Sequence, residues 1–130
     1  MAATGESRLI PGGAPIPHPH FVVHGPAIFA PRGVSVPQII LVHATSVKPN
    51  RPYDKSCVLQ QGDHPSIHHP SYIWYRFAKI EPEPFYDRMS AQNVWPVLAV
   101  CDAALLAKLQ RGLCLSLETP QEVKTFFGCP

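Results

Sequence analysis

Proline limits this chain more than any other residue. It stands at 16 of 130 positions, more than twice the usual share of about 5%. Each proline fixes φ and removes a backbone donor, so it belongs in turns, at element ends and on sheet edges. Long helices and wide, uninterrupted sheets are disfavoured over much of the sequence. The crowding is heaviest at the start, with seven prolines and five glycines in residues 1–37. Residues 1–18 therefore read as a flexible arm. Residues 19–130 are then long enough for a single domain with one core.

Within that domain the prolines mark out short strands. Phe21–His24 reads as a first strand ended by Pro26, with Ala27–Ala30 resuming the pairing beyond a bulge. Gln38–Ser46 is β-branched, apolar on both faces and bounded by Pro37 and Pro49. It predicts a buried central strand. A polar loop, 48–55, then carries Lys48, Arg51 and Lys55, followed by a short strand at Ser56–Gln60 and a turn at Gly62–Pro65. Ser71–Ile80 is dense in aromatic and β-branched residues and predicts a second central strand. A short helical stretch is expected in 85–94.

The final third changes period from two to 3.6. Asp102 is a good N-cap, and Leu105, Leu106, Leu109 and Leu113 fall on one face of a helix over 103–115. Thr119–Glu122 has the form of a capping box with proline at the first helical position. It opens a last helix whose Val123, Phe126 and Phe127 face inward. Strands followed by helices define an α+β domain, and no internal repeat is present.

Charge and apolarity exclude several classes. Lysine and arginine exceed aspartate and glutamate by only two, and charged residues make up 15%, so a dominant polybasic footprint is absent. No apolar run approaches the ~18 residues of a membrane helix. Residues 1–10 lack the basic and apolar regions of a secretory signal, so a cytoplasmic protein without membrane contact is expected. The four cysteines, Cys57, Cys101, Cys114 and Cys129, form no CxxC pair. All four are expected as free thiols in a reducing compartment.

Seven histidines, at 18, 20, 24, 43, 64, 68 and 69, invite a metal reading. His64 and His68 are four apart, but Pro65 and Pro70 bracket them, so the helical HExxH geometry is not available. Turn and packing roles explain these histidines without a metal, and none is assigned, nor is any other cofactor. GxSxG, GxxxxGK and GxGxxG motifs are missing, and Cys57 reads as a buried, inert thiol.

What remains is a set of polar groups on or beside the strands. His43, Thr45 and Ser46 close the Gln38–Ser46 strand, and Arg76 and Lys79 interrupt the aromatic one, near Tyr53, Tyr72, Trp74 and Tyr75. Cations interleaved with aromatic rings suit a single-stranded nucleic acid, with bases stacked and phosphates paired. The plainer alternative has the cations snorkelling from sheet edges and the rings filling the interior. On a straight strand Arg76 shares a face with Tyr72 and Trp74, while Lys79 lies opposite, with Ile73, Tyr75 and Phe77. Only a bulge or a strand end brings both cations to one ligand.

This layout resembles the PemK/MazF toxins of bacterial toxin–antitoxin pairs over about residues 20–116. The matching features are the apolar strand ending in Thr45 and Ser46, the strand opening at Ser71, and the leucine-rich helix with Gly112. Lys79 stands at the family's arginine position and Phe77 at a polar one. The family's early tryptophan-bearing strand and the arginine ahead of its apolar strand have no counterpart, and Val36–Gln38 stands there instead. The resemblance implies an SH3-like bent antiparallel β-barrel with C-terminal helices, usually a homodimer, that cleaves single-stranded RNA without a metal. It also implies a small antitoxin protein as partner.

Two functions are therefore expected in competition. In a metal-independent endoribonuclease, His43 or His64 serves as acid or base, Arg76 or Lys79 holds the phosphate, and Thr45 or Ser46 positions it. In a non-catalytic SH3-like module, the same face binds a peptide or single-stranded nucleic acid. A histidine–metal enzyme is a distant third.

Overall fold

The computed structural model describes residues 2–11 and 16–130. In chain order its elements are β1 (Ser7–Ile10), β2 (His18–Phe29), β3 (Gly33–Ser46), β4 (Val58–Leu59), β5 (Ser71–Ile73), β6 (Lys79–Pro82), α1 (Glu83–Ala91), β7 (Val97–Leu98), α2 (Ala103–Leu115) and α3 (Gln121–Phe127). The architecture is α+β: three helices and an antiparallel sheet of seven strands, ordered β4-β5-β3-β2-β1-β7 with β6 beside β3. The sheet is open, since its end strands do not join and no barrel closes.

The β2–β3 hairpin is the spine. Its register slips between Val22 and His24, between His24 and Ala27, and between Ile28 and Phe29. Such bulges bend and twist a strand pair. The second slip falls at Gly25, whose φ is +91° and where a Cβ would collide with the Gln38 carbonyl. Only glycine fits that approach. Pro26 thus does not end the strand; the hairpin bends there and continues.

The far edge of β3 is shared. Gln38–Leu41 pairs with β6, and Ala44–Ser46 pairs with β5. The Ser71–Ile80 segment is therefore not one straight strand. Between its two short strands it makes a 3₁₀ turn at Tyr75–Phe77. That turn drives Tyr75 into the core, where its hydroxyl donates to the Leu109 carbonyl at 2.7 Å. Gly112, one turn further along α2, permits this approach, because a Cβ there would meet the Tyr75 hydroxyl and Cys57.

Alternation along the spine divides the core in two. Phe21, Val23, Ile40 and Val42 face α2 and α3 and pack with Leu105, Leu109, Leu113, Val123 and Phe126. Val22, Ile39 and Leu41 face the other way, against Tyr86 of α1, Trp95 and Ile10. Of the expected leucine stripe of α2, Leu105, Leu109 and Leu113 are buried, Leu109 at 0% exposure, and Leu106 is half-buried; Asp102 accepts from the Leu105 amide at 2.7 Å.

Three further expectations are corrected. Residues 7–10 are not part of a flexible arm but a strand between β2 and β7. The prolines that suggested an arm begin only at Pro11, so nothing stops Ser7–Ile10 from pairing. Met1 and residues 12–15 of that expectation lie outside the described residues. Thr119 does not cap α3: Pro120 is the cap residue, and the Thr119 hydroxyl donates to the Leu113 carbonyl at 2.8 Å. Nor are all four cysteines free. Cys114 is bonded to Cys129, with Cα atoms 5.5 Å apart, and only Cys57 and Cys101 remain as buried thiols. The turn after α2 folds α3 back and returns the chain's end to Cys114, a closure that sequence gaps do not reveal. The cysteine argument for a reducing compartment thereby loses two of its four residues. No helix among the described residues is long and apolar enough to cross a membrane.

Candidate nucleic-acid interface

Beyond Leu41, helix α1 no longer covers the second face of the spine. His43 replaces an aliphatic residue there, directly opposite His20 on β2. The two rings stack at 5.1 Å and 24°, and His18, two residues back and on the same face, sits 5.3 Å from His43. The Trp74 amide donates to the His43 carbonyl at 3.1 Å, carrying the next ring onto this face.

The 3₁₀ turn then sets the pattern. Residues three apart eclipse in such a turn, so Trp74 and Phe77 meet edge to face at 4.7 Å. Phe77 is thereby brought onto the Tyr72–Trp74 face, against the alternation a straight strand would impose, and is 51% exposed. Tyr72 lies 6.0 Å from Trp74, and Tyr53 lies 5.1 Å from Tyr72. A continuous row of rings results: Tyr53, Tyr72, Trp74, Phe77, His43 and His18. Lys55 lies over Tyr53 and Arg76 over Phe77. Lys79, opposite Leu41, reaches the same face but shares its charge with Glu81 at 3.5 Å.

Burial keeps the stacked pair His20 and His43 neutral. Burial pushes His20 down to about 3, against the opposing pull of its bond to the His18 carbonyl. Burial, then the charges of His18 and Lys79, push His43 down to about 4. His43 is therefore an uncharged imidazole at neutral pH, able to accept a proton or to stack.

Thr45 continues along β3 on the His43 side, while Ser46 points to the other face. Both line a cavity of about 570 Å³ at the end of the sheet, with Lys48, His68, His69 and His18 around it. His64 lies elsewhere. It is buried against Phe21; its Nε2 donates to the Ala99 carbonyl at 2.7 Å, and its Nδ1 accepts from the Ser66 amide at 3.1 Å. With both nitrogens occupied, it pins the 62–71 turn to the segment before α2.

Of the six residues singled out in the sequence, His43, Thr45, Arg76 and Lys79 thus come to one face, Ser46 lines the adjoining cavity, and His64 stays in the interior. His18 and Phe77 were missed as contributors. The alternation from His20 back to His18 carried the signal for the first. No sequence signal marked the 3₁₀ turn that carries the second. Cys57 and Cys101 have their thiols pushed up by burial, Cys101 to about 11, which suits packing rather than nucleophilic chemistry. Among the described residues, no group of three or more histidine, cysteine or acidic side chains is arranged to hold a metal ion. No protein-family model, curated protein or solved structure matches the chain.

Proposed function

We propose that this protein binds single-stranded nucleic acid along the ring row, with bases stacking on Trp74, Phe77 and Tyr72 and phosphates meeting Lys55, Arg76 and Lys79. The observation that carries this reading is the unbroken run of partly exposed rings from Tyr53 to His18 on a face that α1 leaves open. Packing alone does not call for it, because a half-exposed aromatic row gains little burial. Stacking on rings is tolerant of base identity and contributes about 1–3 kcal/mol per base. The Trp74→Ala variant should lose about 5- to 150-fold in affinity for a labelled uridine-rich oligonucleotide, measured by fluorescence anisotropy. Unchanged affinity sinks the reading.

Cleavage of the bound strand is the second reading, favoured by one observation. Neutral His43 stands two residues from Thr45 on the same face, close enough to Lys79 for that charge to act on its titration. A base for the 2′-hydroxyl and a cation for the phosphorane are what metal-free RNA cleavage needs. Under this reading the protein is a toxin-like endoribonuclease. The bent sheet then serves as an SH3-like scaffold, a homodimer works in the cytoplasm, and a small antitoxin covers the ring row. Labelled RNA incubated with excess chelator should then yield 2′,3′-cyclic phosphate ends, and His43→Ala should abolish them. Binding without any cut strand leaves the module as a non-catalytic reader.

A further inference from the structure

The cavity at the end of the sheet has an apolar floor and an uncommitted polar rim. Leu9, Ala44, Ile67 and Leu98 form part of its wall, and no carboxylate lines it. Among the described residues, the side chains of Thr45, Ser46, Lys48, His68 and His69 make no hydrogen bond or ion pair with the rest of the protein, although all five border this one space. Elsewhere the small polar side chains around it are engaged: Ser66 bonds His64, and Ser71 donates to the His69 carbonyl at 2.9 Å. Donors without partners, one fixed positive charge and no negative one describe a site for an anion. A volume of about 570 Å³ with apolar walls describes a ligand that carries a body behind that anion.

We infer that this cavity receives the 5′-phosphorylated terminal nucleotide of a single strand. Its phosphate meets Lys48, His68 and His69, and its base and sugar lie against Ile67 and Leu98. The inference rests on the ring-row reading for the remainder of the strand, because His18 and Thr45 belong to both places and make the two surfaces contiguous. A terminal phosphate is the better fit than an internal one. It carries close to two negative charges near neutral pH, and charge-assisted hydrogen bonds are the strong ones.

Two oligonucleotides of one sequence, one 5′-phosphorylated and one 5′-hydroxyl, each labelled at the 3′ end, test this by anisotropy on the full chain. The phosphorylated strand should bind about tenfold tighter or more, and Lys48→Ala should remove the difference. Ser46→Leu, which fills the cavity, should do the same. Equal affinity of the two strands for the wild-type protein overturns the inference and leaves the ring-row reading standing. A nucleoside 5′-monophosphate alone provides the independent arm: it should raise the melting temperature of the wild-type protein, and not that of Ser46→Leu. If neither strand binds, the ring-row reading fails, and the mononucleotide arm still decides the cavity. No thermal shift there overturns the inference.

Discussion

The two faces of the β2–β3 spine have opposite characters. On one, Phe21, Val23, Ile40 and Val42 are capped by α2 and α3, with Leu109 and Leu113 fully buried. On the other, apolar packing against Tyr86 and Trp95 stops at Leu41, and histidines and half-exposed rings take over. The first face is closed by mass, the second left open by composition. Burial explains the apolar residues of the closed face. It does not explain why a protein should keep Phe77 half in solvent beside Trp74, and that unexplained cost locates function.

The comparison breaks most visibly at Leu109. Leu109→Ala should cost about 2–5 kcal/mol in denaturant unfolding, with oligonucleotide affinity unchanged below the transition. A loss under 1 kcal/mol would mean α2 is not the lid described. Next is the disulfide that ties α2 to the chain's end. Cys129→Ser should cost about 2–4 kcal/mol, and alkylation of the denatured, unreduced protein should label two thiols, not four.

The histidines of the open face sharpen the contrast through pH. His20 and His43 titrate at about 3 and about 4 when folded, against 6.5 ordinarily. Below pH 6.5 the unfolded chain therefore takes up more protons than the folded one, and stability falls as pH drops from about 6.5 towards 3. It is fully present above that window. His43→Gln should flatten this part of the profile. The smallest stability effect belongs to Phe77→Ala, expected within about 0.5 kcal/mol while oligonucleotide affinity drops. A ring that proves structural would reverse that order.

Helix α2 was legible in full because its start, period and stripe agree: an Asp cap, then leucines at helical spacing. The spine strand β3 was legible for the same reason, as an apolar run fenced by prolines. Ser71–Ile80 was not. Its composition favours a strand everywhere, and only the sharing of β3 between two partners, with the pull of Tyr75 towards Leu109, breaks it into strand, turn and strand. Both of these are tertiary facts. The candidate site was half legible for the same cause. His43 and Thr45 lie on a strand whose alternation could be counted, and His64 looked equally free until one ring nitrogen met Ser66 two residues on and the other the carbonyl of Ala99, 35 residues away. The Cys114–Cys129 bond likewise depends on where α3 folds back.

The position of β1 sets an order of events. Strand β1 lies between β2 and β7, and the Ser7 hydroxyl donates to the carbonyl of Ala99, 92 residues away. During synthesis β1 is made long before the strand that completes its second edge. Until the residues of α2 and α3 have left the ribosome, the face of the β2–β3 hairpin that carries Phe21, Val23, Ile40 and Val42 lacks the helices that cover it. Contacts so far apart in sequence are slow to close, and unpaired strand edges invite other chains in the interval. The nascent chain's vulnerable period thus runs from the emergence of the hairpin to the arrival of α2 and α3.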